Sequence, residues 1–332
     1  MDEKNARVTR LLAVDPGGLA AAAEMLRKGG LVAFPTETVY GLGADATNPR
    51  AVAEIYRAKG RPSFNPLIAH VADMATARRE AIFDVRASRL AEAFWPGPLT
   101  LVLPLAPGAR VCDLARAGLP SLGLRMPDHP VALDLLAAAG RPIAAPSANL
   151  SGHVSPTAPV HVLADLGGRI DVVIDGGPCG IGVESTIVAL LDGKATLLRP
   201  GGLSRAALEA VLGGPLAGAL DEDDQPLSPG LLASHYAPRG LVRLDAKNLR
   251  EGEAGLDFGG RFAGASAKVF DLSPGGDLAE AAANLFTFLR ALDESGAEKI
   301  AVAPIPGVDL GEAINDRLRR AAAPRGKNFG LT

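Results

Sequence analysis

Helix signals and strand signals alternate along this chain from Asp15 to Leu212, stop between Gly213 and Pro238, and resume from Leu241 to Ala321. Alternation of that kind builds a sheet covered by helices, so the chain is confined to an α/β architecture, and the single break divides it into two units. Asp15-Pro16, an apolar-periodic run to Lys28 and Gly29-Gly30 carry the capping, Pro-first and Gly-last marks of a helix, with Leu31–Phe34 as the strand after it. Asn48-Pro49 opens a second helix over Arg50–Ala58 that Gly60 closes, and Leu67–Val71 follows as a strand. Further helices are expected at Ser88–Phe94, Pro130–Ala139, Val160–Leu166 and Ser204–Leu212. The intervening strands are Leu99–Leu103, Leu122–Arg125, one running into Ala145, Val172–Ile174, Thr186–Leu190 and Ala195–Leu198.

In the break, Gly213-Gly214-Pro215, the acidic run Asp221–Asp224, Pro226 and Pro229 replace any periodicity. So long a structureless piece is suspect inside a compact domain and reads as a linker. Beyond it, strands at Leu241–Leu244, Lys268–Phe270 and Lys299–Ala303 with helices Leu278–Asp293 and Leu310–Ala321 make a second, smaller α/β unit. The expected organisation is a catalytic domain over 1–212, a linker over 213–238 and a C-terminal domain over 239–332. A chain of 332 residues, 48% of them hydrophobic, has material for two cores.

Composition excludes several classes. A net charge of −3 gives no field that would gather nucleic acid, and aromatics at 4% leave few platforms for stacking bases. The start, MDEKNARVTRLLAVDP, has only a four-residue apolar run, Leu11–Val14, too short for a secretion signal, and no stretch approaches a membrane span. The cytosol is therefore the expected compartment. Cys112 and Cys179 form no C-x-x-C, and the five histidines show no metal-ligand spacing. Neither G-x-G-x-x-G opening a helix nor G-x-x-x-x-G-K-[ST] occurs, so dinucleotide and P-loop chemistry lack support.

Two segments carry chemistry. Lys59 and Arg61 form a Lys-x-Arg pair at a helix exit, followed by Ser63 and Asn65, and Pro146-Ser147-Ala148-Asn149-Leu150-Ser151-Gly152 is a second polar turn. Cations at a helix exit also complement the helix dipole, as a solvated helix end would. Beside Ser, Thr and Asn, however, they make an anion cradle able to neutralise phosphates. Arg125 offers a bidentate fork for a planar carboxylate or for a surface ion pair. His70 is a lone strand histidine, a type more often structural than catalytic.

Taken in order, FPTETVYGLGAD, KGRPSFNPL, LRMPDHP, PSANLSG and VESTIVAL…LLRPGG resemble the YrdC-like family, and SPGLLASHYAP resembles the linker of its long, two-domain members. The resemblance is strong from Gly30 to about Gly202 and weak over the last ninety or so residues. It implies a YrdC-like twisted mixed sheet with covering helices, plus a smaller Rossmann-like C-terminal domain. It also implies synthesis of threonylcarbamoyl-adenylate and pyrophosphate from L-threonine, bicarbonate and ATP, with Mg2+ arriving on the ATP and no metal held by protein side chains. By similarity, Lys59, Arg61, Asn65, Ser121, Ser147, Asn149, Ser155, Arg199 and Tyr236 are expected on ATP, with Lys59 and Arg61 catalytic. Thr38, His70, Arg125, Ala145 and Ser185 are expected on L-threonine. Tyr236 would come from the linker folded over the pocket. A separate transferase complex would pass the product on to tRNA as N6-threonylcarbamoyladenosine, without stable tRNA binding here. Two rivals share the fold: an RNA-binding protein, and carbamoyl-phosphate-dependent carbamoyl adenylation, whose large carriers also have zinc-finger cysteines this chain lacks.

Overall fold

The computed structural model describes residues 7–218 and 236–324, so most of the expected linker, 219–235, lies outside the described residues. The first unit runs β1 (Arg10–Ala13), α1 (Pro16–Arg27), β2 (Val32–Phe34), β3 (Gly41–Asp45), α2 (Pro49–Lys59), β4 (Ile68–His70), α3 (Met74–Glu80), α4 (Val85–Phe94), β5 (Leu99–Pro104) and β6 (Ser121–Arg125). It continues with α5 (Pro130–Ala139), β7 (Ile143–Ala144), α6 (Pro159–Leu166), β8 (Val172–Asp175), β9 (Thr186–Leu191), β10 (Lys194–Arg199) and α7 (Arg205–Leu212). Its strands form one mixed sheet in the order β1-β8-β2-β3-β7-β4-β6-β5-β9-β10. The second unit runs β11 (Leu241–Arg243), β12 (Ala254–Asp257), β13 (Val269–Asp271), α8 (Leu278–Glu294), β14 (Lys299–Val302) and α9 (Leu310–Ala322). Its sheet, β11-β14-β12-β13, is parallel throughout.

Helix boundaries follow the caps. The Asp15 carboxylate accepts from Gly18 N, and Asn48 Oδ1 accepts from Arg50 N and Ala51 N, each just before a Pro in the first turn. Gly60 ends α2 at φ 62°, a left-handed conformation that costs glycine nothing. Strands β1, β3 and β12 and helix α3 were not expected. Strand β3, GLGAD, has no β-branched residue and two glycines, so propensity hides it; pairing with β2 and β7 makes it a strand. The segment 213–218 is part of the first sheet's edge: Leu197 N donates to Ala217 O at 2.9 Å and Ala217 N to Ala195 O at 3.0 Å.

The two units share an apolar seam. Val39, Val154 and Val183 of the first are buried in one cluster with Leu256, Leu285 and Phe286 of the second. Gly182, at φ 79°, lies so close to α8 that a Cβ there would stand 2.3 Å from Ala282 O. Polar ties flank the seam: Arg205 of α7 pairs with Glu312 of α9 at 2.7 Å, and Arg290 of α8 with Asp165 of α6 at 2.9 Å. Among the described residues no helix is long and apolar enough to cross a membrane. Cys179 is buried and Cys112 half-buried, and both are free thiols.

Candidate functional site

Helix α2 delivers Lys59 on its last turn, and Gly60 reverses the chain so that Arg61 follows on the loop toward β4. The Lys59 ammonium is buried and donates to the carbonyls of Ser147 and Asn149, at 2.5 Å each, while Ser151 N donates to Lys59 O at 2.9 Å. The two polar motifs, far apart in sequence, are thus one piece. Burial, then the like charge of Arg61, pushes the Lys59 pKa well below the usual lysine range, with Asp165 opposing. Arg61 donates to the carbonyls of Asn65 (3.4 Å) and Pro66 (3.2 Å) and has no carboxylate partner among the described residues. Burial lowers its pKa to about 10, and Arg199 adds to the lowering. Two buried amide oxygens nearby, Asn65 Oδ1 and Asn149 Oδ1, have no hydrogen-bond partner.

A second group hangs on β4, β6 and the loop before β3. His70 pairs with Arg125 across the β4–β6 ladder, and its buried ring meets Phe34 edge-on with centroids 6.3 Å apart. Burial, then Arg125, pushes its pKa down to about 3, so the ring is neutral, and its Nδ1 has no partner. Arg125 Nη2 donates to Thr38 Oγ1 at 3.0 Å and pairs with Glu37 Oε1 at 2.6 Å, and its Nε donates to Gly97 O at 3.3 Å. Nη1 has no protein partner among the described residues. Thr36 and Thr38 hydroxyls, 2.8 Å apart, fix the turn that aims this group.

A third group comes from β9 and β10. Arg199 Nη2 donates to Ser185 O at 2.8 Å and to Ser185 Oγ at 3.2 Å, and Ser185 Oγ is 2.8 Å from Thr100 Oγ1. Gly201 allows this approach, since a Cβ there would be 2.4 Å from Glu184 O and Ser185 C. Glu184 Oε1 accepts from Ser155 Oγ at 2.6 Å.

These groups meet in one cavity of about 40 Å3, lined by Arg61, His70, Arg125, Ala145, Ser147, Ser185, Arg199 and Tyr236, together with Val39, Ile68, Pro146 and Glu184. Tyr236 is buried, stacked on Phe286 of α8 with centroids 5.4 Å apart. Thr38, Asn65 and Ser155 stand behind the wall, bonded to Arg125, Arg61 and Glu184; Lys59 and Asn149 brace it through Ser147. Ser121 is apart from the cavity. It begins β6 on the same face as Arg125 but four residues earlier, roughly 13 Å along the strand. Sequence reasoning passed over Glu37, Glu184 and Arg317; the first two adjoin chosen residues, Thr38 and Ser185, which was the available signal.

Residues 24–201 match the family model Sua5_yciO_yrdC, described as telomere recombination. Residues 203–323 match the model described as threonylcarbamoyl-AMP synthase, C-terminal domain. A threonylcarbamoyl-AMP synthase of Bacillus subtilis is 43% identical over 336 residues, covering 96% of each chain. One from Schizosaccharomyces pombe is 37% identical, covering 92% of this chain and 88% of its own. The crystal structure of Pyrococcus abyssi Sua5 complexed with L-threonine superposes with a TM-score of 0.88 at 39% identity, covering 95% of this chain and 98% of that one. The chain belongs to the Sua5/YciO/YrdC family, among members that also carry the threonylcarbamoyl-AMP synthase C-terminal domain.

Proposed function

We propose that this chain is an L-threonylcarbamoyladenylate synthase, a nucleotidyltransferase that forms threonylcarbamoyl-AMP and pyrophosphate from L-threonine, bicarbonate and ATP. The observation that carries the assignment is the convergence of Arg61, Arg125 and Arg199 on one buried cavity. The carboxylate lining it, Glu184, is already committed to Ser155 and Arg317. Such a site carries excess positive charge at low dielectric and selects anions. Likeness to the P. abyssi protein solved with L-threonine supports the amino-acid half of the assignment.

In this scheme the threonine amine, after giving a proton to water, adds to bicarbonate and water is lost, leaving a carbamate. A carbamate oxygen then attacks the α-phosphorus of ATP, and pyrophosphate departs. Arg125, with Nη1 available and Thr38 orienting it from behind, takes the threonine carboxylate, while Ser185 presents a hydroxyl and neutral His70 presents Nδ1. Arg61 and Arg199 neutralise the phosphates beside Ser147, with Tyr236 lining the same cavity; Asn65, Asn149 and Ser155 support that wall from behind, and Ser121 lies outside the cavity. Lys59 holds the two motifs in register from behind. Positioning and charge neutralisation suffice, and no covalent enzyme intermediate is needed.

Magnesium accompanies ATP in this proposal. Hard oxygen acceptors suit its hydration shell, and Asn65 Oδ1 and Asn149 Oδ1 would accept hydrogen bonds from its water, while the ion would supply charge neutralisation on the phosphates. In the cytosol a transferase complex would consume the product in forming N6-threonylcarbamoyladenosine on tRNA. The test is pyrophosphate release with each substrate withheld in turn: release that ignores threonine or bicarbonate would overturn the assignment.

A further inference from the structure

Helix α9 belongs to the small parallel sheet, yet its Arg317 is fully buried and ends against the other unit. Nε donates to Glu184 Oε2 at 2.8 Å, and Nη1 donates to Pro200 O at 2.9 Å and to Asp316 Oδ2 at 2.6 Å. The guanidinium also lies over the Tyr236 ring, 5.4 Å from its centroid. Glu184 immediately precedes Ser185, and Pro200 immediately follows Arg199, so one side chain grips both ends of the Ser185–Arg199 contact. The same side chain touches Tyr236, which lines the cavity from a third direction.

A buried ion pair is a poor stabiliser, because desolvating two charges offsets their attraction, and a well-packed apolar pair often does as well. The seam already has an apolar cluster and two other charged ties that stay clear of the cavity. What Arg317 supplies that they do not is a fixed distance between the Glu184–Ser185 strand start and the Arg199–Pro200 strand end. Ser155, on the opposite side of Glu184, completes a relay from α9 to the nucleotide side of the site. We infer that Arg317 is a positioning residue, through which the C-terminal unit holds Ser185, Arg199 and Tyr236 in their working geometry. The inference rests on the functional assignment above for the roles of those three residues.

The experiment compares the full-length wild type with Arg317→Met, Arg317→Lys and, as a seam control, Arg205→Met. Pyrophosphate release gives kcat and KM below each protein's melting midpoint, and titration calorimetry gives ATP and L-threonine affinities on the same samples. A displacement of about 1 Å at Arg199 is enough for a loss of about 100-fold. Arg317→Met should lose kcat by that order with a smaller rise in KM, Arg317→Lys should recover part of it by keeping the charge on Glu184, and Arg205→Met should match the wild type. If Arg317→Met does not fold, Arg317→Lys carries the same test, with a kcat loss of about tenfold expected from losing the Pro200 bond. A melting shift with kcat per folded molecule unchanged, or equal losses in Arg205→Met, would make Arg317 a structural tie only and overturn the inference. A wild type that binds both ligands without releasing pyrophosphate would defeat the assignment of function instead, and the affinities would then decide about Arg317.

Discussion

Half-buried Arg61 and fully buried His70 show how much one residue can determine. Among the described residues Arg61 has only carbonyl partners, which on the proposed function leaves its charge for an anion. Arg61→Ala should cut adenylate formation at least tenfold, since a charge-assisted contact is worth about 1.5–3 kcal/mol, while circular dichroism shows the fold intact. His70 carries a stability signature. Its folded pKa of about 3 is below the ordinary histidine value of about 6.5, so between these limits the unfolded chain binds the extra proton. Stability is therefore full above about pH 6.5 and is lost as pH falls, by at most about 1.4 kcal/mol per pH unit for this group. His161, pushed to about 4 by burial, adds to the loss in the same direction, and Glu184 and Asp165, held near 2, add theirs only below about pH 5. Melting midpoints from pH 7 to 5 should fall, and His70→Gln should flatten that fall; an unchanged slope would show that the imidazole is not held neutral. The arginines, serines and histidine of the site were legible because each sits in a local motif. Glu37 and Glu184 were not, because their value lies in partners far along the chain, Arg125 and Arg317.

At the scale of elements, caps were the reliable signal. Asn48-Pro49 and Gly60 bracket α2 almost as expected, whereas β3 and β12 were missed because ladder pairing, not composition, makes them strands. The same logic marks a weak point where β10 leaves the sheet. Gly201 packs against backbone atoms of Glu184, Ser185 and Thr186, which cannot swing aside as a flexible side chain would. Gly201→Ala should separate the two loops, costing about 1–3 kcal/mol in thermal stability and lowering pyrophosphate release more than melting alone accounts for. Loss of stability with normal turnover would mean that the loop spacing is not catalytic.

For the whole molecule, alternation and its one interruption gave two α/β units, but not the seam, because Val39, Val154 and Val183 are each unremarkable in their own segments. A chain ending at Gly218 keeps the sheet edge made by Ala217, yet it exposes those valines and takes Arg317 away from Glu184. The fragment should keep an α/β circular dichroism spectrum, melt lower and lose at least tenfold in nucleotide affinity or turnover by calorimetry and pyrophosphate assay. Wild-type behaviour would confine the C-terminal unit to a role outside the reaction. The cavity that Tyr236 lines is small for its proposed ligands. At about 40 Å3 it has room for little more than a water, against roughly 300–1,000 Å3 for an ordinary ligand pocket. On the proposed function the lining has to widen to admit ATP, and Tyr236, held between an arginine and a phenylalanine, is part of that lining. On that reading the seam is a clock as well as a joint: where widening limits the cycle, a more viscous solvent should slow turnover even with the chemistry untouched, and turnover independent of viscosity would show that it does not.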